Sequence, residues 1–308
     1  MKPLLSVIIC THNPRRDYLD MVLQALKEQS LSTEFWELLL VDNASEKRLS
    51  SEIDLTWHPQ SRHIREEKLG LTPARLKGIE EAVAETLVFV DDDNVLDSDY
   101  LEVTLQISKD WKFLGSWGGQ IRPQFDEPPA EWTKPYWQWL AIREFDKDIW
   151  LNIIEANVYP CGAGMCVRKV VAEKYVSLVL HNSKRSNLDR KGNLLFGCGD
   201  MDLAFTACDI GLGMGLFVAL KLIHLIPAKR LQEDYLVKLA EGNSYSTLIL
   251  NSFRGKIPIQ PKKSWKGKFY EFYRFWRMSL RERRFYWAHK RGETLAIQEI
   301  LNKQITHN

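Results

Sequence analysis

The 308-residue chain is poor in cysteine, in long apolar runs and in biased sequence. Its five cysteines are odd in number and form no CxxC pair. That argues against a disulfide framework and against a structural zinc, and suits a reducing, cytoplasmic compartment. No apolar run reaches the roughly 20 residues of a membrane-spanning helix. Residues 216–227 come nearest, and Lys221 and His224 interrupt them. Residues 4–10 are too short for a secretory leader, have no small-residue cleavage site, and read as a strand. There is no repeat and no low-complexity tract, so the composition is that of one large or two small globular domains.

The net charge of +2 hides an uneven distribution. Residues 251–308 carry 14 Lys and Arg against 4 Asp and Glu, a surplus of +10, which leaves residues 1–250 at −8. Such an asymmetry points to an appended, surface-binding tail.

What is present centres on Leu87-Val88-Phe89-Val90-Asp91-Asp92-Asp93-Asn94. Four apolar residues read as a buried strand, and three carboxylates follow where it leaves the sheet. Adjacent acids repel one another and pack nothing, so a cation, or a ligand that brings one, suits them. In open α/β sheets ligands bind at the carboxyl ends of strands. A divalent metal with a phosphate-bearing substrate is one reading. The other is a solvated acidic turn before a helix capped by Asp97 or Ser98.

Two earlier strands precede it. Residues 4–10 are nearly all apolar, as for a strand covered on both faces. They run into Thr11-His12-Asn13-Pro14, with Asn13 as a helix cap and Pro14 at the first helical position. Residues 36–41 form a second buried strand ending in Asp42-Asn43-Ala44-Ser45. Two strand ends with polar side chains suggest a pocket for a nucleotide base and ribose. A short strand near residues 62–65 follows, then a helix with Thr72 as cap and Pro73 first. Arg75, one turn in, can reach a diphosphate. Its alternative is a surface ion pair with Glu66 or Glu67.

Four blocks now stand in order: Ser-Val-Ile-Ile-Cys-Thr-His-Asn, Val-Asp-Asn-Ala-Ser, Gly-Leu-Thr-Pro-Ala-Arg-Leu-Lys-Gly-Ile and Val-Phe-Val-Asp-Asp-Asp. Together they resemble the N-terminal half of a family 2 glycosyltransferase. Those are inverting enzymes of the GT-A fold that use nucleotide-diphospho-sugars. The resemblance implies an α/β, Rossmann-like, mostly parallel central sheet flanked by helices, with a C-terminal helical extension. It implies that Thr11, Asn13 and Asp42 contact the nucleoside. Asp91 and Asp92 would lie on the donor side and Asp93 would ligate Mg²⁺ or Mn²⁺. Family members commonly carry Asn where this chain has Leu76.

The second half holds further candidates. Six tryptophans lie between Trp111 and Trp150, suited either to sugar faces or to packing a long excursion. Residues 160–168 resemble the acceptor-side segment of the family. Residues 197–205 lead with glycines into a helix, and Asp200 stands near its start. Either the helix dipole favours Asp200 and Asp202 there, or Asp200 is a general base. The family commonly has a Glu-Asp pair here, and in this chain Gly199 takes the Glu position. His224, at the end of an apolar strand over residues 216–223, reads alone as a core histidine; by resemblance it joins Asp93 at the metal. A helix begins after Pro227.

In the tail, Phe269, Phe272, Tyr273, Trp276 and Leu280 share one helical face. Lys268, Glu271, Arg274, Arg277 and Arg281 share the other. This reads as a membrane-surface helix or one packed on the catalytic domain.

The expectation is a GT-A domain over 1–250, divided into a donor half (1–95) and an acceptor half (96–250), with a basic aromatic tail over 251–308. The partners expected are a nucleotide-diphospho-sugar, a glycan or lipid-linked acceptor, and an anionic membrane surface met by residues 262–291; nucleic acid is not expected. The protein would be cytoplasmic or peripheral on the inner face of the cell membrane and would serve polysaccharide or glycolipid synthesis. Two rival readings are a non-catalytic nucleotide-sugar or glycan binding subunit and a haloacid-dehalogenase-type phosphatase using Asp91 as nucleophile.

Overall fold

The computed structural model describes residues 2–154, 158–189, 195, 197–256 and 264–305. Residues 262 and 263 of the expected membrane-facing segment lie outside the described residues, and so does the side chain of Lys268.

The chain opens with β1 (Leu5–Thr11), α1 (Arg16–Lys27), β2 (Trp36–Asn43), β3 (Ser61–Glu66), α2 (Leu71–Glu81) and β4 (Thr86–Asp91). The next elements are β5 (Asn94–Leu96), α3 (Tyr100–Asp110), β6 (Leu114–Phe125), β7 (Ile149–Leu151), β8 (Cys166–Arg168), α4 (Lys169–His181) and α5 (Gly199–Asp209). It closes with β9 (Gly213–Ile226), α6 (Glu233–Phe253), α7 (Trp265–Arg277) and α8 (Leu280–Ile305). One sheet runs in the order β3-β2-β1-β4-β8-β6-β9-β5, with β7 also on β9.

The donor half of the sheet, β3-β2-β1-β4, is wholly parallel. The other half is mixed: β8 is antiparallel to β4 and β6, while β9 is parallel to β6 and antiparallel to β5 and β7. The apolar runs of β1 and β2 follow from burial on both faces. Leu5, Val7 and Ile9 join the layer of α1 and α3, while Ile8 and Cys10 join that of α2, α4 and α5. Each fully buried Leu or Ile here contributes roughly 1.5–3 kcal/mol.

Two helix starts differ from the sequence reading. Asn13 does not cap α1. It adopts a left-handed backbone (φ 48°), accepts at Oδ1 from Glu46 N (2.9 Å), and donates its own N–H to Ser45 Oγ (2.9 Å). Helix α2 is preceded by Gly70 at φ 138°, which puts Thr72 inside the helix, where its hydroxyl bonds Asp189. In both places a side chain suited to capping serves a tertiary contact instead. Strand β9 is also longer than read, so His224 lies within it rather than at its end.

The tail does not stand apart from the body. Helix α6 runs through residue 250, and α8 returns along it. Phe285 and Ala288 are buried with Leu236, Leu239 and Leu140, and Phe285 stacks on Tyr136 at 4.1 Å. Trp132, Trp137 and Trp139 pack in this same cluster, and Trp117 is fully buried in the main core. Helix α7 differs: Trp265, Phe269, Tyr270, Phe272 and Trp276 are each more than 60% exposed. No helix among the described residues is long and apolar enough to cross a membrane.

Candidate active site

A cleft of about 1270 Å³ opens at the carboxyl ends of the parallel strands. Thr11, Arg75, Asp91, Asp92, Asp93, Asp200 and His224 all line it. The sequence separates these residues by as much as 213 positions, and the sheet gathers them. Strand β1 lies between β2 and β4, which sets Cys10 beside Asp91 at one edge. Strand β5 pairs with β9 so that Asn94 faces His224, and that register brings Asp93 beside the imidazole.

Asp93 is 6% exposed. Its Oδ1 accepts from Asn94 Nδ2 (3.0 Å), and its Oδ2 lies 3.4 Å from His224 Nε2. Arg230, not singled out by the sequence reading, reaches both: Nη1 is 3.0 Å from Asp93 Oδ2 and 3.1 Å from His224 Nε2. A guanidinium only donates, so Nε2 is the acceptor in the Arg230 contact. The other ring nitrogen, Nδ1, is buried and unpartnered among the described residues. Asp92 accepts a short hydrogen bond from the Thr11 hydroxyl. Burial, then the charges of Asp93 and Asp91, push its pKa up to about 7, against the pull of Thr11 and Arg230. Three acids are thus crowded until a positive charge relieves them.

Arg75 forms no ion pair with Glu66 or Glu67. It is 4% exposed and donates from Nη1 to Asp189 Oδ2 (3.2 Å). Burial works to lower its pKa, yet Asp189, Asp91 and Asp200 together hold it above the ordinary arginine value. Asp200 stands in the first turn of α5. Its Oδ2 accepts from Gly162 N (2.9 Å) and its Oδ1 from Met201 N (2.8 Å). Gly162 has room for no side chain, since a Cβ there would meet Arg75 Nη2 at 2.5 Å and Asp200 Cβ at 3.3 Å. Asp202, by contrast, points away into an ion pair with Arg185 (2.5 Å) and Arg254 (3.0 Å).

Two expected site residues are not in the lining. Asp42 is 4% exposed and turned under its own loop. It accepts from Ser45 N (3.0 Å), Leu49 N (3.1 Å) and Arg65 Nη1 (2.7 Å). Burial raises its pKa, and these bonds outweigh burial and hold it below the usual carboxylate range. Asn13 holds the same loop from the β1 side. Both shape the rim rather than face the cavity.

Asp189 and Arg230 escaped the sequence reading because neither belongs to one of the blocks above. Cysteine chemistry is not offered here: burial pushes the Cys10 and Cys161 thiols up to about 12.

The fold, with its strand-end acids and its mixed second half, is that of the GT-A class. The family model for glycosyl transferase family 2 matches residues 6–172, more than half of the chain, and the protein belongs to that family. Solved structures share the fold. One is S. aureus TarS 1-349 in complex with UDP-GlcNAc, at 13% identity and TM-score 0.51, covering 82% of this chain and 67% of that one. Another is GalNAc-T7 with UDP, GalNAc and Mn²⁺, at 14% identity and TM-score 0.53, covering 88% of this chain and 54% of that one. The chain spans 40% of the longer S. aureus TarS chain. A search of curated proteins finds no significant sequence match.

Proposed function

We propose that the protein is an inverting glycosyltransferase that moves a sugar from a nucleotide-diphospho-sugar to an acceptor hydroxyl. The observation that carries this reading is the placement of Asp200 in one cleft with Asp91, Asp92 and Asp93, joined through Arg75 and Gly162. In this reading the donor nucleotide lies against Thr11, Asp91 and Asp92, Arg230 faces its diphosphate, and Arg75 is engaged by Asp189 rather than by the donor. Asp200 takes the proton from the acceptor hydroxyl as that oxygen bonds to the anomeric carbon. The bond to the diphosphate breaks on the opposite face, so the configuration inverts.

Asp93 and His224 fit Mg²⁺ or Mn²⁺: a carboxylate and an imidazole nitrogen 3.4 Å apart suit a hard or borderline cation. Among the described residues no group of three or more His, Cys, Asp or Glu is placed to hold an ion alone. The diphosphate and water would complete the coordination. Such an ion supplies charge neutralisation at the leaving diphosphate. Arg230 already provides a positive charge at the same two side chains.

The acceptor in this reading is a glycan or a lipid-linked glycan, in polysaccharide or glycolipid synthesis on the cytoplasmic side of a membrane. The exposed aromatic face of α7, with Lys266, Arg274 and Arg277 on the same helix, supports attachment to an anionic lipid surface.

The deciding experiment is Asp200→Asn. The variant is expected to bind nucleoside diphosphate like the parent and to transfer no sugar across a panel of nucleotide-sugars and hydroxyl acceptors. Transfer at the parent rate would remove the base assignment. A parent that binds donors and never releases nucleoside diphosphate would be a binding subunit instead.

A further inference from the structure

We propose that Asp189 is a positioning residue of this site: its buried carboxylate fixes the Arg75 guanidinium between Asp91 and Asp200, and position 199 is glycine to admit it. The proposal rests on the reading of the cleft given above and goes beyond it, because Asp189 is in none of the motifs that led there.

Three independent observations meet at this carboxylate. First, it is nearly solvent-free, at 4% exposure, although it lies on the cleft wall. A carboxylate so placed needs partners, and it has two from one helix turn: Thr72 Oγ1 at 2.9 Å and Arg75 Nη1 at 3.2 Å, both to Oδ2. Second, the same guanidinium is held in the field of Asp91 and Asp200, and its Nη2 packs against Gly162, which donates to Asp200. The position of Arg75 is therefore coupled to the proposed base on one side and to Asp189 on the other. Third, a Cβ built at Gly199 would lie 2.3 Å from Asp189 Cγ and 2.3–2.5 Å from its two oxygens. Gly199 is the residue before Asp200, so the carboxylate fills the space that a side chain at 199 would take. The backbone pins it there, since Cys198 N donates to Leu188 O at 3.0 Å.

With the charge of Asp189 removed, only a neutral hydrogen bond to the oxygen shared with Thr72 holds the guanidinium, and the charges of Asp91 and Asp200 draw it toward them. A closer ion pair with Asp200 would occupy the oxygen that the acceptor hydroxyl needs. Donor binding, which uses the strand-end acids, would change little. The signature is then a loss in kcat with donor KM retained.

The test uses the full chain and three proteins: parent, Asp189→Asn, and the double variant Asp189→Ala with Gly199→Asp. Asparagine keeps the shape and the bond from Thr72, so the fold is retained. The double variant moves a carboxylate from 189 to 199, where the geometry gives it the same space. Nucleoside diphosphate release from a panel of nucleotide-sugars is measured below the melting temperatures. Asp189→Asn is expected to lose about 100-fold in kcat with donor KM within about threefold, as for a misplaced catalytic neighbourhood. The double variant is expected to regain about tenfold. A parent kcat in Asp189→Asn would overturn the proposal, and so would a crystal structure of that variant with the Arg75 guanidinium unmoved. If the parent turns over no donor, the glycosyl-transfer reading fails by itself, and the crystallographic arm still decides whether Asp189 positions Arg75.

Discussion

Asn94 and His224 are direct partners in the antiparallel β5–β9 ladder, and this register sets Asp93 Oδ2 3.4 Å from His224 Nε2. A one-residue slip would turn the imidazole to the other face of the sheet. The pair owes its proximity to the sheet and not to local sequence, since His224 lies within β9, 131 positions after Asp93.

Divalent-ion binding should depend on both members of this pair. Asp93→Ala and His224→Ala are each expected to remove the Mn²⁺-dependent part of nucleoside diphosphate binding in calorimetry, leaving the metal-free part in place. Chelation of the parent should reproduce the variants. Arg230→Ala is expected to tighten Mn²⁺ binding, because a cation no longer competes for Asp93. Metal dependence unchanged in Asp93→Ala would dismiss the ligand role.

Arg75 lies among Asp91, Asp189 and Asp200, and its single charge offsets part of theirs. Replacing it by methionine removes the ion pair made to the buried Asp189 carboxylate. Breaking such a buried pair costs about 3–5 kcal/mol. Urea denaturation of Arg75→Met at neutral pH should show a loss of that order, and a loss below about 1 kcal/mol would mean that the pair contributes no more than a surface ion pair.

Gly162→Ala is a narrower change. Its methyl group would press on Arg75 Nη2 and on Asp200 Cβ. Overpacking of this kind costs about 1–3 kcal/mol, so the variant should fold. Turnover should drop far more than stability, and a fully active Gly162→Ala enzyme would separate Arg75 from the chemistry.

The donor half of the fold was legible because β1, β2 and β4 are covered on both faces and end in polar residues at one edge. Asp93, Asp200 and His224 were found through the order of the blocks around them, and the structure puts them in one cleft. Other features had no local signal. Asp189 meets Arg75 across 114 positions and Thr72 across 117, a relation that no spacing encodes. Asn13 and Thr72 carry the side chains of helix caps, and tertiary partners claim them. The tail read as one amphipathic unit. The structure divides it, since Phe285 on α8 stacks into the tryptophan cluster while most aromatic residues of α7 stay exposed and Phe275 alone among the described ones packs on Tyr286 and Trp287 of α8.

His58 sets a pH dependence remote from the cleft. It is 2% exposed, packs edge-on to Trp36 at 4.1 Å, and its Nδ1 accepts from Gln60 N (3.2 Å). Burial lowers its pKa from 6.5 to about 4. The unfolded chain therefore binds a proton between those values that the folded chain does not. Stability is complete above 6.5 and falls with acid down to about 4, by up to about 3 kcal/mol from this group. His58→Asn keeps an acceptor for Gln60 and cannot be protonated. Its stability at pH 7 should be lower than the parent's, and its loss between pH 6.5 and 4.5 should be smaller. Equal slopes in the two proteins would remove His58 as the source.

Helix α7 offers the sharpest test of the lipid-surface reading, because Phe272 and Trp276 are largely exposed. Trp276 is 70% exposed and Phe272 62%. Substitutions at such surface positions change stability by about 0.5 kcal/mol or less. Phe272→Ser with Trp276→Ser should therefore leave the melting temperature in place. Cosedimentation with vesicles rich in phosphatidylglycerol should fall about tenfold or more, since insertion rests on buried apolar area as well as charge. Arg274→Gln with Arg277→Gln should weaken binding at low salt and matter less near 1 M salt, where screening reaches about 3 Å. The two pairs of changes thus separate insertion from attraction. Parent-like cosedimentation in the aromatic pair would mean that α7 inserts neither Phe272 nor Trp276 into a bilayer.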